Sequence, residues 1–287
     1  MPNSTRFRIK NSFFFLLSFF FYSNTWSQSE KYNGDSVPKR LTAEEKFLSQ
    51  PSFTIFNDNY FLTGTTLREA PSKYNSDVKY QISFKQLLYR NPLVAKSFLF
   101  VSYTQKSFWD IYKNSKPFAE INFNPALGLI RPYDTKMGKS GFFTLMLEHE
   151  SNGRDSIQSR SWNFLSAGWQ QNISDRIQLN AKVWLPFAYK DDNPDLINYV
   201  GYGQFGAAYI IKPSRWYADV LVKKGNQWNW KGSVMGQLYY KPFKKGNQFI
   251  GIQWFQGYGE NLISYQQKTS MVRIGLLIKP NLTNFFY

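Results

Sequence analysis

Residues 178–187, QLNAKVWLPF, alternate between polar and apolar side chains. Every odd position is apolar, whereas Gln178, Asn180 and Lys182 take even positions. Successive side chains of a β-strand point to opposite faces of the strand. The period of two therefore predicts a strand with one apolar face.

Eleven further segments show similar patterning, so twelve strands are predicted in all. Their lengths suit tilted strands that cross a membrane in about 9 to 11 residues, and closed bacterial barrels have an even strand number. The twelve segments are 60–67, 78–87, 97–104, 121–129, 143–151, 161–169, 178–187, 200–211, 216–223, 232–240, 248–255 and 271–278. The sequence thus predicts an all-β fold, a transmembrane antiparallel β-barrel of about twelve strands with periplasmic termini.

The content of aromatic residues separates this barrel from its main alternative, a soluble secreted β-sandwich. Aromatic residues make up 19% of the chain. A sandwich would also alternate, but only a membrane barrel needs many aromatic side chains at strand ends, where they sit at the membrane interface. The composition therefore favours the barrel.

The two ends of the chain carry targeting features. Basic residues precede the apolar run 13–22, which is too short for a membrane-spanning helix, so residues 1–27 are predicted to be a secretory signal peptide. The polar segment 28–55 is predicted to be flexible, and 56–287 to be the barrel domain. The chain ends in an aromatic residue, Tyr287, which resembles the assembly signal of outer-membrane barrels.

Charge and cysteine content exclude several classes of protein. The formal net charge is +16, but the basic residues are scattered and no nucleic-acid-binding module is present. We therefore expect no nucleic-acid partner and take anionic lipid head groups or lipopolysaccharide phosphates as the counterpart of the charge. The chain has no cysteine, so disulfides and thiolate metal sites are excluded.

The single histidine, His149, lies two residues before Ser151 on a predicted strand. Their shared strand face must be the outer one, because the opposite face carries Glu148 and Glu150, and ionised carboxylates cannot face lipid. Asn163 on the next segment shares the parity of its apolar neighbours, so it is also expected to face outward. An antiparallel hairpin can bring Asn163 beside His149.

This set of residue types points to acyl transfer. Ser151 would be the nucleophile, His149 the base that accepts its proton, and Asn163 the acceptor that orients the imidazole. The backbone N–H groups of Asn152 and Gly153 would stabilise the oxyanion. A lone His-x-Ser pattern is weak evidence, since a histidine near a strand end is more often incidental.

A longer motif strengthens the pattern. The chain has HESNGR at 149–154 and SRSWN at 159–163, which resembles the signature H-D-S-N-G-R, a short gap and S-R-S-W-N of the outer-membrane phospholipase A family. Further similar segments occur in the same order from about residue 60 to the C-terminus. These segments are 103–109, 117–122, 191–195, 199–202 and 257–263.

The resemblance implies an enzyme of the outer membrane of a Gram-negative bacterium. Members are calcium-dependent phospholipases that cleave acyl esters of glycerophospholipids at the A1 and A2 positions, and of lysophospholipids, and they are activated by homodimerisation. The resemblance assigns Ser151, His149 and Asn163 to the catalytic triad. It assigns Ca²⁺ to Arg154, Ser159 and Asp192, with Ser115 contributed by the partner subunit, and it places Gln105 in the dimer interface.

Three departures from the family pattern bear on these assignments. Glu150 replaces an Asp between the catalytic residues, but its parity turns it towards the lumen. Phe108 replaces a Trp of an aromatic pair. Asp155 and Ser156 stand in the reverse of the family order, so a second calcium position is left open. The segment 191–195 also fits a simple Asp-Asn-Pro turn between strands.

A passive porin that has lost catalysis is the alternative from another functional class. Such a barrel would conduct ions, and its conductance would not depend on Ser151. Lumen-facing Glu148, Glu150 and Arg160, together with aromatic side chains, argue against a wide pore.

Overall fold

The protein forms a barrel of antiparallel strands, seen in a computed structural model that describes residues 40–243 and 246–280. These residues also contain helices α1 (Ala43–Leu48) and α2 (Ile197–Val200) and 3₁₀ turns at Val94–Lys96 and Ser156–Gln158. The strands are β1 (Phe53–Ile55), β2 (Asn59–Thr66), β3 (Ser76–Leu87), β4 (Phe98–Trp109), β5 (Phe118–Asp134), β6 (Ser140–Ser151), β7 (Ser161–Asn172), β8 (Ile177–Phe187), β9 (Gly203–Lys212), β10 (Trp216–Lys224), β11 (Gly232–Tyr240), β12 (Gln248–Gly257) and β13 (Thr269–Ile278). None of the helices in the described part of the chain is long and apolar enough to cross a membrane.

The barrel closes through strands β2 and β13, which pair from Met271↔Thr66 to Ile278↔Asn59. Strands β1 and β2 pair with successive parts of the same edge of β3, so they act as one interrupted strand. The ring therefore contains twelve strands, β2 to β13, and the predicted fold class is confirmed.

Each predicted segment overlaps one strand of the ring, with differences at the ends. The strand predicted from residue 200 begins at Gly203, because Val200 ends α2 and Gly201 takes a positive φ of 64°. Strand β5 extends to Asp134, five residues beyond its predicted end, because its ladder with β6 continues as far as the pair with Ser140.

The outer face of the wall is apolar. In β8, Val183, Leu185 and Phe187 are exposed, whereas Gln178 and Trp184 are buried inside the barrel. An exposed apolar band of this kind is unfavourable in water and is the surface that a membrane barrel presents to lipid. In residues 178–187 the apolar odd positions therefore face outward and the even positions face the barrel interior, as the alternation predicts.

The interior is crossed by buried ion pairs around an internal cavity of about 530 Å³. Glu260, in the loop 258–268, lies 3.0 Å from Lys79 and 2.7 Å from Arg273, and Arg273 also binds Asp77 at 2.7 Å. Burial alone would raise the pKa of Glu260, but the two cations lower it to about 2 and keep the carboxylate ionised. An interior crossed by buried ion pairs differs from the open channel of a porin.

Part of the segment predicted to be flexible, 28–55, is folded. Helix α1 begins with a capping box of Thr42 and Glu45, and Phe47 packs against Phe98 with ring centroids 5.1 Å apart. The predicted signal peptide 1–27 and the C-terminal aromatic residue lie outside the described residues.

Candidate active site

Strands β6 and β7 bring the predicted catalytic residues together on the outer wall. The register pairs His149 with Asn163 and Ser151 with Ser161. On the opposite face of β6, Glu148 and Glu150 line the internal cavity, as their parity predicts. The residues predicted for catalysis therefore lie at the end of an apolar, outward-facing stripe.

A hydrogen bond joins two of these residues. His149 Nδ1 lies 2.9 Å from Asn163 Oδ1, and because an amide oxygen only accepts, Nδ1 carries the hydrogen. Nε2 is then the basic nitrogen of the neutral ring. Ser151 Oγ has no hydrogen bond to a described residue, and catalytic hydrogen bonds often tighten only when substrate binds.

The backbone of His149 is held by a residue that the sequence pattern did not identify. Asn124 of β5 donates from Nδ2 to the His149 carbonyl at 2.9 Å. Its neighbour Pro125 has no N–H, so the side chain of Asn124 supplies a donor that the backbone lacks at this point of the ladder. The sequence contains the proline, but it does not show that Pro125 lies opposite His149, which depends on the register of β5 and β6.

The loop 152–160 follows Ser151 and is organised by Asn152, which is 5% exposed. Its Oδ1 accepts from the Arg160 N–H at 3.0 Å, and its Nδ2 donates to the Gln158 carbonyl at 2.9 Å. Its backbone N–H donates to the Arg160 carbonyl at 2.9 Å. This bond continues the β6–β7 ladder, and the oxyanion role of the Asn152 N–H stays a prediction.

Gly153 leaves the strand with a positive φ of 66°, a conformation that favours glycine. A Cβ at this position would lie 3.0 Å from the ring of Phe123, the residue that faces Ser151 across β5 and β6. The backbone N–H of Gly153 is not used in any hydrogen bond among the described residues. It is the predicted oxyanion donor that the local structure leaves available.

The side chain of Arg154 is held back against β5. Its Nη2 donates to the Ala119 carbonyl at 2.5 Å, its Nη1 to Gln158 Oε1 at 2.8 Å, and its Nε lies 3.3 Å from a carboxylate oxygen of Glu120. The Arg154 carbonyl and Ser159 Oγ accept no hydrogen bond within the described part of the chain. Both oxygens predicted as calcium ligands in this loop are thus free to bind a cation.

The other predicted ligands lie in neighbouring loops. Asp192 accepts from Ser161 Oγ at 2.6 Å, and Asn193 donates from Nδ2 to the Ser161 carbonyl at 2.6 Å. These bonds dock the loop 188–202 beside Ser151, which pairs with Ser161. Ser115 is exposed in the loop between β4 and β5. The docking role of Asn193 was not predicted, although the residue lies in the segment 191–195, which resembles the family.

The donor set fits a hard cation. All four predicted ligands offer oxygen, which calcium prefers, and it usually takes six to eight such ligands. Within residues 40–243 and 246–280 there is no cluster of three or more histidine, cysteine or acidic residues. One carboxylate and a few neutral oxygens fit Ca²⁺ only if further oxygens come from water or a second chain.

Gln105 lies level with the site on the outer wall. Its register partner on β5 is Phe123, which in turn pairs with Ser151. Gln105 accepts from the Tyr103 hydroxyl at 3.0 Å and donates to Ser107 Oγ at 3.1 Å. The three side chains form a polar ladder on a face that is otherwise apolar.

Sequence comparison finds similarity to one family over most of the chain. The sequence model of the family Phospholipase A1 matches residues 38–278. The Phospholipase A1 of Salmonella typhimurium is 33% identical over 254 residues, which cover 79% of this chain and 82% of that protein. That of Escherichia coli K12 is 29% identical over 292 residues, 92% of this chain and 95% of the relative.

Solved structures agree with the sequence comparison. Outer membrane phospholipase A from Escherichia coli is 28% identical, with a TM-score of 0.70 over 79% of this chain and 98% of that one. The calcium-bound dimer of the Salmonella typhi outer membrane phospholipase is 27% identical, with a TM-score of 0.69 over 79% and 92%.

Proposed function

The chain belongs to the Phospholipase A1 family, and from that premise we propose that it is a calcium-dependent outer-membrane phospholipase with a Ser151–His149–Asn163 triad. Membership makes it a hydrolase of phospholipid esters, located in the outer membrane of a Gram-negative bacterium. The observation that carries the proposed triad is the 2.9 Å bond from His149 to Asn163 on the outer wall. The termini then lie in the periplasm.

In the first half of the reaction, Ser151 Oγ attacks the ester carbonyl carbon and His149 Nε2 accepts the hydroxyl proton. Asn163 holds the ring in position, although a neutral amide stabilises the imidazolium less than a carboxylate would. The Gly153 N–H donates to the oxyanion. The ester C–O bond then breaks, and the lysophospholipid alcohol leaves with the proton from His149.

In the second half, water attacks the acyl-enzyme and His149 again accepts a proton. The Ser151 ester bond breaks, the proton returns to Ser151 Oγ, and a fatty acid is released. The apolar stripe of Leu145, Leu147 and Leu165 leads up to the site and is exposed. Acyl chains can therefore approach along the lipid-facing wall, at either the A1 or the A2 ester.

The metal would be held by oxygens around the loop 152–160. The proposed ligands are the Arg154 carbonyl, Ser159 Oγ and Asp192, with the partner subunit's Ser115. A bound Ca²⁺ supplies positive charge beside the developing oxyanion, which a single backbone N–H stabilises weakly. Asp155 and Ser156 stay candidates for a second calcium position, since both are exposed in the same loop.

A second copy of the chain would complete the site. One barrel wall offers no cleft to enclose substrate, and the ligands of one chain fall short of the usual shell for calcium. In the polar ladder, Ser107 is fully buried, but Tyr103 and Gln105 are partly exposed and can bond across a dimer interface within the membrane. This arrangement is supported by the dimer described for the Salmonella typhi relative.

The proposal is tested by incubating refolded protein with phosphatidylcholine in detergent micelles and calcium. We expect release of fatty acid and lysophosphatidylcholine, with further cleavage of the lysophospholipid. Folding is checked by the slower migration of the barrel on electrophoresis after heating. A folded wild-type barrel that released no fatty acid would contradict the proposal.

A smaller effect is expected at Asn163. Asn163→Ala should lower kcat about tenfold, because one hydrogen bond that orients His149 is lost while the nucleophile and base remain. Asn163→Asp keeps the acceptor oxygen and should retain most of the activity. Equal kcat values for wild type and Asn163→Ala would remove Asn163 from the triad.

A further inference from the structure

Glu120 is a buried carboxylate that connects two loops at the site end of the barrel. It lies on β5 and is 1% exposed. Its Oε1 accepts from the Ile263 N–H at 3.1 Å and from Asn122 Nδ2 at 2.8 Å. Its Oε2 lies 3.3 Å from Arg154 Nε. One oxygen of the carboxylate therefore accepts a hydrogen bond from the loop 258–268, whereas the other forms an ion pair with the loop 152–160 and accepts no hydrogen bond among the described residues.

The ion pair between Glu120 and Arg154 connects Glu120 to two proposed functional groups of the loop 152–160, the Arg154 carbonyl and the Gly153 N–H. The guanidinium of Arg154 is held by Glu120, by the Ala119 carbonyl and by Gln158. These contacts fix the position of Arg154, whose own carbonyl is a proposed calcium ligand and whose preceding residue, Gly153, offers the oxyanion donor. Glu120 touches neither group, and Arg154 connects it to both.

The link to the loop 258–268 is also specific. Asn122 Oδ1 accepts from the Leu262 N–H at 3.2 Å, so two consecutive backbone amides of this loop bind β5 side chains. A buried carboxylate is costly unless it is paired and hydrogen-bonded. Loss of the Arg154 ion pair would therefore weaken the hydrogen bond from the Ile263 N–H to Glu120, and loss of that hydrogen bond would weaken the ion pair.

We propose that Glu120 is a positioning residue that couples the loop 258–268 to the loop 152–160 and thereby sets the geometry of the calcium and oxyanion groups. The expected effect on calcium-dependent hydrolysis rests on the proposed function. The structural consequence, the coupling of two loops, does not depend on catalysis.

Glu120→Gln tests this role, because it removes the charge and keeps the shape. We expect the calcium concentration for half-maximal fatty-acid release to rise about tenfold. In calcium-free protein, hydrogen exchange should become faster in both loops. Arg154→Gln should have the same effects, and the double variant should be no worse than the more impaired single variant.

Glu148→Gln is the matched control. Glu148 is also a buried lumen carboxylate, but its partners Ser166 and Lys182 lie on β7 and β8 and not in the loop 152–160. It should change half-saturation by calcium less than about twofold and leave exchange in that loop unchanged. A purely structural role for Glu120 would make the two Glu→Gln variants behave alike.

The activity of the wild type tests the proposed function, whereas the exchange experiment tests the coupling of the two loops. An inactive wild type would remove the proposed function, while the exchange experiment would still test the coupling. Additive effects of Glu120→Gln and Arg154→Gln, or exchange that changes in one loop only, would overturn the inference. Arg154 has a partly exposed side chain, so its variant serves if Glu120→Gln does not fold.

Discussion

Replacing Ser151 by alanine is expected to lower fatty-acid release by at least about 10⁴-fold, because no other group can form the acyl-enzyme. The side chain is only partly buried and forms no hydrogen bond to a described residue, so the barrel should fold as the wild type does. The measurement is release of fatty acid from phosphatidylcholine micelles at saturating calcium, with heat-modifiable migration as the check on folding.

Ser161 supplies a matched control for Ser151. It is the register partner of Ser151 on β7, but its hydroxyl is bound to Asp192. Ser161→Ala should weaken the docking of Asp192 and lower activity far less than Ser151→Ala does. Activity in the Ser151→Ala variant within about tenfold of wild type would exclude the serine as nucleophile.

Removal of calcium by a chelator is expected to lower fatty-acid release to the rate measured without enzyme. The developing oxyanion has one available backbone donor, at Gly153, on a wall that is open to its surroundings. Loss of a main source of oxyanion stabilisation typically costs about 10²- to 10³-fold in kcat. Added calcium should restore the rate, whereas magnesium should restore less, because it demands short, near-octahedral coordination.

Ser159→Ala gives an independent check of the same prediction. It removes one proposed ligand without disturbing the hydrogen bonds of the loop 152–160, in which Ser159 Oγ takes no part. The variant should need more calcium for half-maximal activity and should fold as the wild type does. Hydrolysis that proceeds unchanged in excess chelator would show that the reaction does not use calcium.

Most of the fold could be predicted from alternation alone. A strand that separates lipid from a polar lumen must alternate, so residues 178–187 and eleven other segments carry a signal of period two. Strand ends were predicted less well, because the ladder of β5 continues to Asp134 beyond the lipid-facing pattern. Helix α1 was missed, since its stability comes from the packing of Phe47 against Phe98, which is distant in sequence.

The site was predicted where its residues are close in sequence. His149 and Ser151 are two apart, and strand parity places both on the outer face. The sequence could not show that the Asn152 N–H pairs with the Arg160 carbonyl, because that depends on the hairpin register. The contacts of Glu120 could not be predicted either, since its partners Arg154 and Ile263 lie in two separate loops.

In the proposed function, one barrel carries half of an active site, which calcium and a second copy of the chain complete. The direct measurement is a calcium titration in which fatty-acid release and the chemically cross-linked dimer fraction are recorded on the same samples. We expect hydrolysis to rise in proportion to the dimer fraction and to be absent from monomer. Full hydrolysis by a monomeric sample at saturating calcium would contradict it.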